Sequence, residues 1–252
     1  MVPVLTAALG HGVVAGFTGR AGGTSAGGYA GLDLGQHVGD DPLAVAGNRR
    51  RVAAWAGGPV VFARQVHGTR CAVLPGAGDP SPDPFLGDLG EDDGGYDALV
   101  VTAPGHPIGV LVADCVPVLL ADPVAGVAAV AHAGRPGLLA GVLESVVRAM
   151  TEAGAQAERV RAVLGPSAGP CCYEVPSAMR DDAAARIPAT SASTTWGTPS
   201  LDLRAGCRQI LRTLGVGDVT SVGGCTVEDD RFYSFRRSPV TGRFAGVVMM
   251  VG

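Results

Sequence analysis

The sequence predicts a single domain, residues 1–252, that combines β-strands with α-helices. Two β-branched segments, residues 116–121 and 127–131, flank a turn-rich linker of hairpin length and predict two antiparallel strands. The apolar residues that follow Gly137 recur at helical spacing and predict a helix. The 252 residues, 47% hydrophobic and 17% charged, are enough to bury one large core.

The charge of the chain argues against two classes of partner. A formal net charge of −4 and an isoelectric point of about 5.7 do not favour nucleic acid or an anionic membrane, since either would require a basic surface. All 19 basic residues are Arg, which excludes Schiff-base lysine chemistry and a P-loop lysine.

Cysteine usage indicates a reducing compartment. The first 20 residues lack the basic segment that precedes the apolar part of a secretory signal. Asp114 and Asp122 interrupt the longest apolar run, so no membrane-spanning helix is expected. We therefore expect a cytoplasmic protein whose six cysteines are reduced thiols.

Elements in the first half follow from capping residues and composition. Asp41 and Pro42 predict the N-cap and first residue of a helix through the segment LAVAGNRRRVAAWAG. Short apolar segments at residues 59–62 and 96–102 predict strands. Between them, residues 76–95 are rich in Pro, Gly and acidic side chains, and predict a mobile surface loop.

The second half alternates further helices and strands. Their predicted bounds are a helix from Pro136 to about residue 152, a strand at 160–164, a helix at 177–187, a loop at 188–200, a helix at 203–214, an extended segment at 219–222, and a hairpin of residues 232–235 and 244–250.

The apolar run 108–137 carries Asp114, Cys115 and His132, where a buried core is expected. Centring the hairpin on its turn sets residue 115 opposite roughly residue 133, so Cys115 and His132 should meet with facing Cβ atoms about 5 Å apart. Each alone is typical of a buried core residue. Together, a thiol and an imidazole can share a metal or a proton.

Two features surround this pair in the sequence. The helix that begins at Pro136 would start beside it and direct free N–H groups toward it, which is typical of an anion or phosphate site. His67 follows a predicted strand and is by itself typical of a loop histidine. It would serve as a third ligand, because catalytic zinc commonly takes three protein ligands and one water.

Other polar residues keep a structural interpretation. Cys171 and Cys172 are adjacent and are interpreted as buried loop thiols, because neighbours in sequence rarely form a disulfide. His37 and His106 lie in loops rich in Gly and Pro, where a surface position is typical. The pair at residues 236–237 is typical of a solvated strand end, with a phosphate contact as the alternative.

Several motifs in a fixed order resemble the laccase-domain family, whose members are also described as multicopper polyphenol oxidase-like, peptidoglycan-editing-factor or purine nucleoside phosphorylase-like proteins. Their number and order across nearly the whole chain make the resemblance specific. The motifs are LDLGQHVGDDP with AGNRRR after it, RQVHGT, YDALVVTAPG, VADCVPVLLADP, VAAVAHAG, LGPSAGPCCYEV, and CT followed by FYSFRR and GRFAGVV.

The resemblance implies a fold and an activity. The family fold is α+β, with a β-sandwich-like core of mixed strands surrounded by helices. The resemblance implies that His67, Cys115 and His132 are catalytic residues that hold zinc. It also implies phosphorolysis of adenosine, inosine and methylthioadenosine and deamination of adenosine, with the purine nucleoside and phosphate as the only partners implied.

Substrate contacts and departures from the family pattern involve a few residues. His37, Arg64 and Arg135 are the predicted substrate contacts, with Arg64 assigned to phosphate from its position. Where the family usually reads AHAGWRG, this chain reads AHAGRPG, so Arg135 is expected to replace the lost arginine. Asp33 stands where the family usually has Asn, and Phe235 where it often has Tyr.

Three alternatives remain open at this point. A copper-dependent polyphenol oxidase would need about ten histidines for a multicopper centre, and the chain has five, although a lone site with two His and one Cys can bind adventitious copper. A Cys/His hydrolase of a peptidoglycan precursor would use Cys115 as nucleophile and His132 as base. A non-enzymatic binding protein would close the metal site with a fourth ligand, for which Cys172 is the candidate.

Overall fold

The computed structural model describes residues 2–74, 88–90 and 94–252, and these contain two large β-sheets, with helices on both outer faces, and a two-stranded ribbon. The strands in these ranges are β1 (Val4–Thr6), β2 (Val13–Thr18), β3 (Val61–Phe62), β4 (Cys71–Leu74), β5 (Ala98–Val101), β6 (Ile108–Val112), β7 (Val116–Asp122), β8 (Val127–Ala133), β9 (Arg161–Leu164), β10 (Ser191–Ser193), β11 (Pro199–Leu201), β12 (Asp218–Ser221) and β13 (Phe244–Met250). The α-helices are α1 (Pro42–Ala56), α2 (Arg135–Ala140), α3 (Val142–Glu152), α4 (Ser177–Arg186) and α5 (Leu203–Thr213).

Both large sheets are mixed. One has the strand order β1-β2-β13-β6-β3, and the other has the order β12-β9-β7-β8-β5-β4. The pairs β3/β6, β4/β5 and β9/β12 are parallel, and the other pairs of these sheets are antiparallel. The protein is therefore a single-domain α+β fold, as the sequence predicts.

The core lies in three layers around the two sheets. Phe17 and Val248 of the first sheet pack against Leu119 and Val130 of the second, and this contact forms the sandwich. The opposite face of the second sheet packs against α3 and α5. The opposite face of the first sheet packs against α1.

Strand β7 explains why the run 108–137 is so apolar. Leu119 faces the layer between the sheets, while Val118 and Leu120 face the helices. A strand buried on both faces needs apolar side chains at consecutive positions rather than at alternate ones. The predicted hairpin is confirmed, with Val116 opposite Ala133, one residue away from the predicted register.

The first helix begins and ends as its sequence predicts. The side chain of Asp41 accepts a hydrogen bond from the Leu43 N–H at 2.9 Å, and Pro42 occupies the first turn. The helix ends at Gly57, whose φ of 84° is a left-handed conformation that glycine adopts without strain.

Three predictions of secondary structure are wrong. The single helix after Pro136 is two helices, because Gly141 adopts a φ of 102° and separates α2 from α3. The loop predicted at 188–200 contains the ribbon β10/β11. Residues 232–235 form a turn instead of a strand, since β13 pairs with β2 and β6, which lie far away in sequence.

The acidic segment 76–95 is described only in part. Its residues 76–87 and 91–93 lie outside the described ranges, so the predicted mobility has no test there. Asp88 is buried and forms an ion pair with Arg49 at 2.8 Å, and Leu89 bridges to Ala63. Residues 88–90 therefore belong to the packed structure. Among the residues described, no helix has the length and apolarity that crossing a membrane requires.

Candidate metal centre and its cavity

Three side chains with metal-binding atoms converge at the open end of the β7/β8 hairpin. The ligand atoms of His67, Cys115 and His132 all lie within 4.8 Å of one another. Cys115 Sγ is 3.6 Å from His67 Nε2, and the two imidazole rings meet edge to face with centroids 4.7 Å apart. Two imidazoles and one thiol in this arrangement form a donor set suited to a zinc ion.

Backbone conformation aims these side chains at one point. His132 lies on β8, while Cys115 immediately precedes β7 and His67 lies in the loop before β4. His67 has φ 58° and Asp114 has φ 92°, and these are the non-glycine residues with positive φ in the described chain. Such conformations cost free energy and persist where the surroundings enforce them, often at functional sites.

Asp97 holds two of the three candidate ligands in place. This fully buried carboxylate lies 2.7 Å from His132 Nδ1, and it accepts hydrogen bonds from the backbone N–H groups of Val66, His67 and Gly68 at 2.6–3.2 Å. Although burial opposes ionisation, the hydrogen bond with His132 and the backbone donors hold the pKa of Asp97 below its ordinary value. The ionised carboxylate therefore accepts a hydrogen bond from the Nδ1–H group, which leaves Nε2 as the ring nitrogen of His132 that a metal can bind by displacing its proton.

Mutual charge stabilises an ionised pair at this centre. Burial raises the pKa of the Cys115 thiol, but the neighbouring His132 and His67 outweigh it and bring the pKa to about 6. Burial lowers the pKa of His132, but Cys115 and Asp97 outweigh it and raise the pKa to about 9. A thiolate is accordingly available near neutral pH, which metal ligation and nucleophilic attack both require.

Asp114 ties the centre to two distant loops. Its carboxylate accepts hydrogen bonds from Thr226 Oγ1 at 2.6 Å and from the Arg236 N–H at 2.7 Å. Its carbonyl oxygen accepts a hydrogen bond from the Ala168 N–H at 2.9 Å. Asp114, the residue beside Cys115, therefore holds in place the loop that contains Ala168 and the loop that contains Thr226 and Arg236.

The three ligands line one part of a cavity of about 400 Å³, which is large enough for a small organic substrate. The guanidinium of Arg236 stacks over the ring of Tyr173 at 4.5 Å and donates to the carbonyl of Glu174 at 3.0 Å. The aromatic, cationic and polar side chains of the remaining wall are His37, Gln65, Asp114, Tyr173, Phe235, Arg236 and Arg243.

The chain matches a family model along nearly its whole length. Residues 14–251 match the model described as multi-copper polyphenol oxidoreductase laccase. The chain belongs to this laccase family. Its donor set is nonetheless small for a multicopper enzyme, since the whole sequence holds five histidines.

Relatives and solved structures agree with this membership. A Streptomyces coelicolor protein named purine nucleoside phosphorylase is 48% identical over 238 residues, covering 93% of this chain and 94% of its own. A Corynebacterium glutamicum protein of the same name is 45% identical over 237 residues, covering 93% of each chain. The crystal structure of a Neisseria meningitidis protein of family DUF152 superposes with a TM-score of 0.85, at 34% identity and 99% coverage of both chains.

Not every predicted substrate contact lines the cavity of this laccase-family chain. His37 does, and burial lowers the pKa of its imidazole, so it is neutral near pH 7. Arg64 is exposed and its backbone bonds to Leu89 and Tyr96, while Arg135 begins α2. Neither is among the lining residues, where the cations are Arg236 and Arg243 instead.

Sequence reasoning missed Asp97, Tyr173 and Arg243. One feature of the sequence could have indicated Asp97, because it is a charged residue directly before the apolar strand β5. No local sequence pattern indicates Tyr173 or Arg243, because their positions in the cavity wall depend on contacts between segments that are distant in sequence. Cys172, the candidate fourth ligand, lies in a different cluster with Cys171, Cys225 and Glu228.

Proposed function

We propose that the protein is a zinc-dependent purine nucleoside phosphorylase whose metal is held by His67, Cys115 and His132. One observation carries this proposal: three metal-binding atoms converge at a cavity whose remaining wall includes aromatic and cationic side chains. The names of the relatives at 45–48% identity support the same reaction.

The residues fit the metal. Zinc prefers nitrogen and sulfur ligands, and a catalytic site commonly has three protein ligands with a fourth position for water or substrate. Asp97 sets the His132 tautomer, and the low pKa of Cys115 favours the thiolate that zinc requires. Zinc held there supplies a Lewis acid that polarises a substrate oxygen or acidifies a water.

The cavity walls fit the two substrates. Tyr173 and Phe235 offer aromatic surface to a purine base, and a half-exposed Phe235 is easily covered by a ligand. Arg236 and Arg243 offer positive charge to phosphate. In phosphorolysis a phosphate oxygen forms a bond to the ribose C1′ while the bond from C1′ to the purine nitrogen breaks, and the purine leaves with that electron pair and takes up a proton.

The side chains contribute by position and charge. The cationic groups hold phosphate beside the sugar, and transition-state positive charge on the ribose favours attack by the bound anion. His37, as a neutral imidazole, is placed to exchange a hydrogen bond with the sugar or the base. Adenosine, inosine and methylthioadenosine are the proposed substrates, and deamination of adenosine at purine C6 is the proposed second reaction of the same metal site.

Product analysis tests this proposal. Purified protein is incubated with adenosine with and without phosphate, and the products are separated by chromatography. Phosphorolysis gives adenine and ribose 1-phosphate only when phosphate is present, whereas deamination gives inosine and ammonia regardless of phosphate. Absence of both products would contradict the proposed function.

Matched thiol variants separate the zinc enzyme from the two other candidate reactions. Cys115→Ser is expected to lose turnover and the zinc at this site, while the control Cys71→Ser, on β4, keeps both. A cysteine hydrolase would instead resist chelators and lose activity with iodoacetamide. A polyphenol oxidase would consume oxygen with a phenol only after copper is added.

A further inference from the structure

A second group of metal-binding atoms lies outside the cavity. The Sγ atoms of Cys171, Cys172 and Cys225 and a carboxylate oxygen of Glu228 all lie within 4.8 Å of one another. Cys171 Sγ is 3.3 Å from Cys172 Sγ and 3.4 Å from Glu228 Oε2. Three thiols and one carboxylate supply four ligand atoms, the number that a closed tetrahedral site needs.

Two segments that are distant in sequence build this cluster. Residues 167 and 225 form a parallel bridge, with the Thr226 N–H donating to the Ser167 carbonyl at 3.0 Å. The Gly169 N–H lies 3.2 Å from Cys225 Sγ, which is a further donor directed at a sulfur. A Cβ at Gly169 would lie 3.1 Å from Cys171 Sγ, so a side chain at this position would crowd the cluster.

The cluster brings its three sulfur atoms together without a disulfide. All three cysteines are free thiols. A bound metal ion stabilises the thiolate form of its cysteine ligands, so metal binding would release the thiol protons.

We propose that Cys171, Cys172, Cys225 and Glu228 form a second, structural metal site that binds a zinc ion and fastens residues 167–173 to residues 225–228. The site is closed, because its four protein ligands leave no position for water or substrate. It is distinct from the centre formed by His67, Cys115 and His132, since the two clusters share no residue.

The fastened segments form part of the cavity wall. Tyr173 directly follows the two adjacent cysteines and supports the guanidinium of Arg236. Thr226 directly follows Cys225 and donates to Asp114, the neighbour of Cys115. A metal in the second site therefore stabilises the wall that faces the first site, without taking part in the reaction.

Zinc stoichiometry tests the proposal in a background that lacks the first site. The full chain carrying His67→Ala and Cys115→Ser is loaded with Zn²⁺, freed of excess ion by gel filtration, and analysed by mass spectrometry of the metal. We expect about one zinc per chain. Adding Cys172→Ser is expected to remove it, whereas adding Cys71→Ser is expected to leave it in place.

A second measurement uses only the background protein, so it does not require the Cys172→Ser variant to fold. Co²⁺ replaces Zn²⁺ in the same background protein, and three thiolates should give intense sulfur-to-cobalt charge-transfer absorption that excess Zn²⁺ displaces. Amide hydrogen exchange of residues 167–173 and 225–228 should slow on zinc addition. Both readouts are independent of nucleoside turnover.

Several results would overturn the proposal. These are a background protein without zinc, equal zinc in the Cys172→Ser and Cys71→Ser additions, or a cobalt spectrum without charge-transfer bands. One further result would assign the adjacent cysteines to a redox pair instead. The protein kept without reductant would have a mass two hydrogens lower than the reduced protein, and the reduced protein would take up no zinc.

Discussion

Oδ1 of Asp97 lies 2.7 Å from Nδ1 of His132, and the same carboxylate binds the backbone at residues 66–68. One buried side chain thus orients two of the three proposed metal ligands. It fixes the ring of His132 directly and fixes His67 through its backbone. Removing a carboxylate that orients a metal-bound histidine commonly changes metal affinity by about 10- to 100-fold.

Asp97→Asn is therefore expected to lower zinc affinity at the first site by about 10- to 100-fold, because the amide favours the wrong histidine tautomer. Zinc titration against a competing chelator measures this. Asp122→Asn is the matched control, since Asp122 is equally buried and pairs with Arg159 at 2.9 Å far from the cavity. Both variants should lose stability, and an equal loss of zinc affinity in both would contradict a specific role for Asp97.

Gly134→Ala tests how closely the backbone approaches the metal ligands. A Cβ there would lie 2.5 Å from Cδ2 of His67 and 3.0 Å from Sγ of Cys115. The φ of −76° suits alanine, so the effect should come from contact alone. We expect zinc affinity to fall by at least about tenfold. This loss is comparable to that caused by removing a residue that orients a metal ligand.

Gly47→Ala is the control for this substitution. Gly47 lies in α1, and a Cβ there would meet no atom within 4 Å. Alanine is the better helix former by about 1 kcal/mol, so this variant should be slightly more stable and keep its zinc. An alanine at Gly134 that leaves zinc binding unchanged would contradict the proposed convergence of ligands.

Arg236→Gln tests the proposed phosphate contact. A hydrogen bond to a charged group is worth about 1.5–3 kcal/mol, so losing it should raise the KM for phosphate roughly tenfold or more. The KM for the nucleoside should change less. Arg180 is a half-buried arginine that pairs with Asp181 on α4, and Arg180→Gln should behave as the unsubstituted protein. Steady-state kinetics with each substrate varied in turn separates these outcomes, and an unchanged phosphate KM would exclude the contact.

The sequence predicts what lies within one hairpin better than what lies between distant segments. Cys115 and His132 could be brought together because seventeen residues and one turn separate them. Asp97 could not, since its contact depends on β5 pairing with β8, with Ala98 opposite Ala131. Arg236 and Asp114 meet across 122 residues, and no local pattern encodes such a contact.

Secondary structure shows the same limit. Helix α1 and strands β7 and β8 were predictable because a cap, a turn and a buried apolar run are local signals. Residues 188–200 are rich in Ser, Thr and Pro, yet residues 191–193 and 199–201 pair as β10 and β11. Gly141 interrupts a helical apolar pattern that is otherwise continuous, and its left-handed φ cannot be inferred from spacing.

Asp33→Asn should change the pH dependence of stability. Burial, and then the neighbouring Asp40 carboxylate, raise the pKa of Asp33 from 3.8 to about 6, despite backbone donors at Gly35 and Arg243. Because the folded pKa is raised, its contribution to stability is present below the unfolded pKa and is lost as pH rises through about 6. Asparagine at this position does not ionise and therefore removes this pH-dependent loss of stability.

Urea unfolding of both proteins measures the effect. The stability of Asp33→Asn relative to the unsubstituted protein should grow by on the order of 2 kcal/mol between about pH 4 and about pH 7. Asp41→Asn is the control, because asparagine caps a helix as well as aspartate does. A difference that stays constant across this range would contradict the raised pKa.

We propose that His67, Cys115 and His132 hold the metal that phosphorolysis requires. The direct test is phosphate-dependent adenosine turnover by Cys172→Ser protein that has been made metal-free with a chelator and then titrated with zinc. This variant lacks the proposed structural site, so zinc uptake reports on the first site alone. We expect no turnover without metal and a rise in proportion to zinc up to about one ion per chain. Full turnover by the metal-free protein would contradict the proposal.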